Sequence, residues 1–211
     1  MRKVPKLPEP PLLMANKVAW LTEYKANKTP YRRYKYRKPI IKQTLVAETD
    51  SKCVYCESRI GHNTPGDVEH KVPSSVDINR HFDWNNLTIA CNECNRRKND
   101  YFDALKPLDP NVDDVEAKVL HYGPVVGWAH GDAAAEITVK TLQLQGDHRK
   151  ILFRRKIEKI AEISDKVERL VSEAGTPLEP IIRAELEAMT ERSAEYSAMV
   201  SEMLRTAGVQ L

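Results

Sequence analysis

The chain has 211 residues, with 33 Lys/Arg against 30 Asp/Glu and a net charge of +3. That length allows one domain with appendages or two small ones. No apolar run approaches the roughly 20 residues a membrane span needs. The basic start Met1-Arg2-Lys3-Val4-Pro5-Lys6 also lacks the apolar stretch of a signal peptide, so a cytoplasmic protein without a membrane partner is the expectation. The near-balance of charge hides an asymmetry. Residues 1–50 hold 12 Lys/Arg and 4 Asp/Glu, leaving 21 against 26 for the rest. The front end suits a polyanion and the back end something else.

In chain order, Pro5, Pro8, Pro10 and Pro11 keep residues 1–12 extended. Leu13, Met14, Val18, Ala19, Leu21 and Tyr24 recur at helical spacing and predict a weakly amphipathic helix over 13–26. The densest basic-aromatic patch follows, from Tyr31 to Lys38. In it Tyr31, Arg32, Arg33, Tyr34, Lys35 and Arg37 are candidate nucleic-acid contacts: cations on phosphates, and Tyr31, Tyr34 or Tyr36 under bases. A solvated helix or a protein-docking surface would have the same composition. Ile40 to Thr49 reads as a short helix that delivers the chain to Cys53.

Residues 51–101 carry the chemistry. All four cysteines lie in two Cys-x-x-Cys pairs, Cys53/Cys56 and Cys91/Cys94. In a reducing compartment such pairs read as metal ligands rather than disulfides. Two knuckles fill a tetrahedral site and leave no open position, so the expected ion is one structural zinc. Four reduced buried thiols are the plain alternative. Between and after the pairs stand Glu69-His70, Asn86 and Asn95. Phosphodiester hydrolysis needs a base for water, a cation on the phosphate and relief of charge on the leaving oxygen. His70 is the candidate base, since neutral imidazole accepts protons near pH 7. Glu69 and Asn95 offer oxygen ligands to one hard cation, which favours Mg²⁺ or Mn²⁺. Asn86 suits pinning the loop that orients His70. Arg96, Arg97 and Lys98 follow Asn95 on the same predicted helix, near the phosphate backbone. Asp67 reads as a strand-edge residue or a support behind the ligands rather than a ligand itself, and His62 and His81 as solvated loop histidines, with contact to substrate as the alternative for either. No role is assigned to His121, His130 or His148.

Residues 102–111 form an irregular exit containing Pro107 and Pro110. Strands are expected at 119–122 and 125–128 around Gly123-Pro124, and Ile137–Lys140 is either a strand or a helix start. Asp147 can cap a helix running to about Ala174, with an apolar stripe of Phe153, Ile157, Ile160, Val167, Leu170 and Val171. Glu162–Lys166 and Asp165–Arg169 would be i, i+4 pairs on its outer face. After Gly175-Thr176-Pro177 a second helix carries Ile182, Leu186, Met189, Tyr196, Met199 and Met203, giving an antiparallel hairpin. Its Met-rich stripe suits either packing or a partner.

Residues 53–98 resemble an HNH endonuclease of the ββα-metal fold. There the first His ends a strand, the Asn lies across a loop before the second strand, and the last motif residue sits on the next helix. Here those positions are His70, Asn86 and Asn95, an H-N-N variant. A longer resemblance runs through Met1–Pro10, Cys53–Glu57, Asp83–Leu87, Leu108-Asp109-Pro110 and Thr141–Leu144. These segments are similar to the PtuB-type HNH nucleases, which accompany an ABC-class ATPase, PtuA, in Septu and certain retron anti-phage systems. The resemblance implies a toxic nuclease held in complex with its ATPase and activated on infection.

The expected architecture is therefore α+β. A basic, helical N-terminal extension (1–50) precedes a zinc-stabilised ββα-metal HNH core (51–101). A connector with a short β-hairpin (102–146) and a C-terminal helical hairpin (147–211) follow. The expected activity is metal-dependent endonucleolytic cleavage of DNA. The alternatives are a ribonuclease effector, cutting transfer RNA for example, and a non-catalytic zinc module that binds nucleic acid or an ATPase. A homodimer is left open.

Overall fold

A computed structural model describes residues 1–61, 65–99, 106–145 and 148–211. His62, Asp147 and the first part of the 102–111 exit lie outside the described residues. The first ten residues run extended, held by contacts to the body. Trp84 Nε1 donates to Leu7 O at 2.7 Å, and Lys6 Nζ donates to Leu87 O at 2.7 Å. Pro11 opens α1 (Pro11–Ala26), where a missing N–H loses no helical bond. Thr29 caps the single turn α2 (Pro30–Arg33), which passes into a 3₁₀ turn, Tyr34–Arg37. Next, α3 (Pro39–Glu48) brings the chain to the first cysteine pair.

The centre is a ββα unit. Strand β1 (Asp67–His70) pairs antiparallel with β2 (Leu87–Ala90), Asp67 opposite Ala90 and His70 opposite Leu87. Cys91 caps α4 (Asn92–Lys98), which packs back on β1. Two strands this short are marginal alone. The whole of β2 is buried, and Ile41 and Leu45 of α3 join it in one core with Trp84 and Cys94. Downstream, Lys71 Nζ bonds both carboxylate oxygens of Asp109 at 2.7 Å, and Val4 N donates to Pro110 O at 2.8 Å. Leu108-Asp109-Pro110 thus fastens the N-terminal segment to the chain just after His70.

α5 (Val115–Lys118) leads into the hairpin of β3 (Val119–Tyr122) and β4 (Val125–Trp128). Gly123 turns it at φ +60°, a conformation that favours glycine. Ile137–Lys140 belongs to a helix, α6 (Ala133–Thr141), capped by Asp132.

The helical third departs from the pattern-based reading. In α7 (Lys150–Ser172) the buried residues are Leu152, Lys156, Ile163 and Leu170. Ile157 and Val171, placed on the stripe by spacing, are 45% and 74% exposed. The inward face is set by what α8 and α9 present, and a lysine occupies one of its positions. Lys166 pairs with Glu185 of the next helix and Glu162 with Lys159, so the Glu162–Lys166 pair does not form. The expected second helix is two: α8 (Glu179–Thr190) and α9 (Ser197–Thr206). No Gly or Pro marks the break. Tertiary partners take up the freed backbone groups: Lys52 Nζ reaches Arg192 O and Ala194 O, and Arg2 Nη2 reaches Thr190 O and Ser197 O. Tyr196 turns the chain at φ +57° with its hydroxyl 3.1 Å from Ser58 Oγ. Such strain persists only where the surroundings over-determine it.

Candidate active site

The two cysteine pairs converge. All four Sγ atoms lie within 4.8 Å of one another, and Cys56 Sγ is 3.8 Å from Cys91 Sγ. A tetrahedron of Zn–S bonds near 2.3 Å has edges of about 3.8 Å. The surrounding charge fits as well. The Arg149 guanidinium is 6% exposed, and its Nη1 contacts Cys94 Sγ at 3.4 Å and Leu142 O at 3.1 Å. No carboxylate pairs with Arg149 among the described residues, and Lys156 is buried nearby. Buried cations require counter-charge, and thiolates on a metal supply it. The cluster can therefore hold one metal ion with no position left for substrate.

On one flank of α4 a cavity of about 500 Å³ is lined by Asp67, Glu69, His70, Asn95, Arg33 and Arg37, among others. His70 ends β1, and its Nε2 lies 2.8 Å from His81 O. A carbonyl only accepts, so Nε2 carries the proton and Nδ1 keeps a free lone pair. Burial, then the neighbouring His81, lowers the His70 pKa to about 3, so the ring is neutral at pH 7 with Nδ1 unprotonated, and the same burial makes it a weaker base than a free imidazole.

Asn86 is fully buried and spends its amide on the loop after β1. Its Oδ1 accepts from Val72 N at 2.8 Å, and its Nδ2 donates to Val72 O and Arg80 O at 3.0 Å. That clamp fixes the carbonyl run to which His70 bonds. Asn86→Ala leaves three backbone groups of half-buried Val72 and Arg80 without their partner and opens a fully buried site, and is expected to cost about 1–3 kcal/mol. A urea melt checks this. A loss below 1 kcal/mol would mean that water or a shifted loop replaces the clamp.

The oxygen donors gather on the same flank. Strand alternation puts Asp67 and Glu69 on one face of β1, and Asn95 Nδ2 lies 3.4 Å from Asp67 Oδ2. Lys98, expected at the phosphate backbone, points inward instead. It is 3% exposed, 2.7 Å from Glu69 Oε1 and 2.8 Å from His70 O. Its ammonium pairs with Glu69, so a metal ion held there would share that carboxylate with Lys98. Of the other basic candidates, Arg33, Arg37 and Arg96 line the cavity. Arg97 is engaged by Glu93 and His148 O. Tyr31 is 77% exposed, whereas Tyr36 is buried edge-on against His70 at 4.6 Å and offers no face to a base. Arg32 and Lys35 turn towards α1, to Glu23 O and the Glu23 carboxylate respectively.

His81, read from sequence as a solvated loop histidine, is 1% exposed and central. It stacks on His70 at 4.7 Å and on Tyr24 at 4.5 Å. Its Nε2 donates to Arg33 O at 2.8 Å, and Ser74 Oγ donates to its Nδ1 at 2.5 Å. It thereby joins the basic arm to His70. No local pattern around Arg80-His81-Phe82 signals this, because the partners come from three distant segments.

Two comparisons bear on this geometry. Residues 53–101, which span the ββα unit and its cysteine cluster, match the family model described as HNH endonuclease. Beyond that unit, the chain is 27% identical over 212 residues to the Septu protein PtuB of Bacillus thuringiensis, covering 94% of this chain and 80% of that relative. Together these matches support an HNH nuclease of the Septu type. No helix among the described residues is long and apolar enough to cross a membrane.

Proposed function

We propose that the protein is a metal-dependent endonuclease that hydrolyses phosphodiester bonds of DNA in the cytoplasm, as the nuclease of an ATPase-containing anti-phage complex. The observation that carries this reading is the state of His70: neutral, stacked, and bonded through Nε2 so that Nδ1 is left as the acceptor in a cavity the oxygen donors also line. Glu69 and Asn95 would hold Mg²⁺ or Mn²⁺, with Asp67 steadying Asn95. A divalent cation bound there would supply positive charge to the scissile phosphate. His70 accepts the proton of the attacking water at Nδ1. Asn86 keeps the loop, and with it the imidazole, in place. Arg33, Arg37 and Arg96 attract and orient the phosphate backbone. The Cys53, Cys56, Cys91 and Cys94 cluster takes zinc and holds the two strands and α4 together. Likeness to a Septu protein supports the defence setting and an ABC-class ATPase partner of the PtuA kind.

The test is cleavage of plasmid DNA and of total RNA by the chain, alone and with its ATPase, with Mg²⁺, with Mn²⁺ or with chelator. Metal-dependent loss of supercoiled plasmid is the expected result. Degradation of RNA alone would make it a ribonuclease. Inertness of the folded protein under every condition would reduce it to a binding module.

A further inference from the structure

The other flank of α4 faces a larger cavity, about 1080 Å³, between the cysteine knuckles and the start of α7. Arg59, Arg97, Arg149, Lys150 and Arg155 line it, and Glu93 and Glu195 are the carboxylates at its wall. Glu93 is ion-paired with Arg96 and Arg97, whereas Glu195 accepts the Arg59 backbone N–H and keeps its charge, one acid against three cations. Arg59, Lys150 and Arg155 are exposed, and among the described residues none of the three pairs with a carboxylate. The groove therefore keeps unneutralised positive charge.

The charge order along α7 points the same way. Between 149 and 159 stand Arg149, Lys150, Arg154, Arg155, Lys156 and Lys159, with Glu158 as the one acid. From 160 to 173 the balance reverses, to Lys166 and Arg169 against Glu162, Asp165, Glu168 and Glu173. The helix dipole favours acids early and bases late, so α7 is charged against its own dipole. That arrangement is unfavourable for the helix by itself and becomes favourable with a polyanion at its start. It also gives the acidic back end of the chain a concentrated basic strip that the overall balance conceals.

Position supplies the occupant. Asn92, Asn95 and Arg96 face the His70 cavity, whereas Cys91, Glu93 and Arg97 face the groove. The two sites are separated by one helix, roughly 10 Å across. At about 3.4 Å of rise per nucleotide, a strand leaving the cleavage position would reach the groove in roughly three nucleotides. We infer that the groove is a second nucleic-acid contact, holding the sugar–phosphate backbone of the strand beyond the scissile bond. The inference rests on the nuclease reading of the His70 cavity.

Binding separates the two claims, because it is measured without cleavage. In the full chain carrying His70→Ala, Lys150→Glu with Arg155→Glu is compared with a control double reversal, Arg183→Glu with Arg205→Glu, on a half-buried cation of α8 and an exposed one of α9, both outside the groove. Fluorescence anisotropy with a labelled duplex is read across a salt series, after metal content and melting temperature confirm that each variant is folded. The groove variant is expected to bind at least ten-fold more weakly at low salt. Its log–log salt slope should be shallower by about two, near 0.9 per lost phosphate contact. Affinity and slope equal to those of the control would overturn the inference, and would leave the groove to an acidic partner protein if that partner's binding falls instead. Absence of cleavage by the parent chain is a different failure and would strike the catalytic reading alone.

Discussion

His70→Ala is expected to leave a folded protein that binds nucleic acid but cuts it about 100-fold to 10,000-fold more slowly, the range a positioned general base supplies. The imidazole does two separable things. Through Nε2 it donates to His81 O, which leaves Nδ1 as the acceptor in the cavity that Asp67, Glu69 and Asn95 also line. Alanine removes both, and the orphaned carbonyl costs about 1–3 kcal/mol, enough to lower the melting temperature without unfolding the chain. His70→Gln separates the roles. Its side-chain amide can still donate to His81 O, but it has no basic nitrogen. If His70 is the base, both variants lose cleavage while Gln recovers stability. Cleavage by His70→Gln at the parental rate would show that the residue only supports the loop, and the base would have to be sought elsewhere in the cavity. The assay needs equal loading of folded protein, and anisotropy with the same duplex shows whether substrate still binds.

The second large effect concerns the cysteine cluster. Removal of its metal, by chelator or by Cys94→Ser, is expected to unfold the region from 53 to 98. A structural zinc contributes on the order of 10 kcal/mol or more, comparable with the entire 5–15 kcal/mol stability of a typical domain. The architecture offers little to replace it, because β1 and β2 are four residues each and α4 is seven. Stripping the metal also leaves Arg149 and Lys156 buried beside thiols that have lost their reason to stay ionised. Metal analysis should find one zinc per chain. After chelation, limited proteolysis should open the segment between Cys56 and Cys91, and zinc should restore protection. An unchanged melting temperature after complete metal removal would mean that packing alone holds the cluster, as four reduced thiols.

The two effects differ in reach. Loss of the base silences chemistry in an intact cavity, whereas loss of the metal removes the cavity. A chelator that strips both classes of ion cannot tell them apart. The Cys94→Ser and His70→Gln variants can, since only the first should change the proteolysis pattern.

Much of the site was legible in one dimension. Cys-x-x-Cys spacing restricts thiols to a knuckle whatever the surroundings, so the paired cysteines could be read before any fold was known, and they do converge. The order His70, Asn86, Asn95 also holds locally, because a strand end, a loop and a helix turn each present one residue over a short stretch. The Gly123-Pro124 turn was legible for the same reason. Features that depend on distant partners were not. Its place on the helix after Asn95 put Lys98 near the phosphate backbone, yet the Glu69 carboxylate and the His70 carbonyl draw it inward. Helical spacing put Ile157 and Val171 on the buried side of α7, where packing against α8 and α9 chose Ile163 and Leu170 and the main core took Leu152.

By itself, then, the sequence determined the chemistry available: four thiols for a metal, a histidine flanked by oxygen donors, and a basic leading segment. Tertiary structure alone decided which groups meet. It turned His81 from a loop residue into the plate beneath His70, broke the last helix at Tyr196 where Lys52 and Arg2 take up its carbonyls, and brought the start of α7 beside the cysteine knuckles. The physical reason is the same in each case. Spacing and composition act within a few residues, whereas buried hydrogen bonds and charges must find partners wherever the fold brings them.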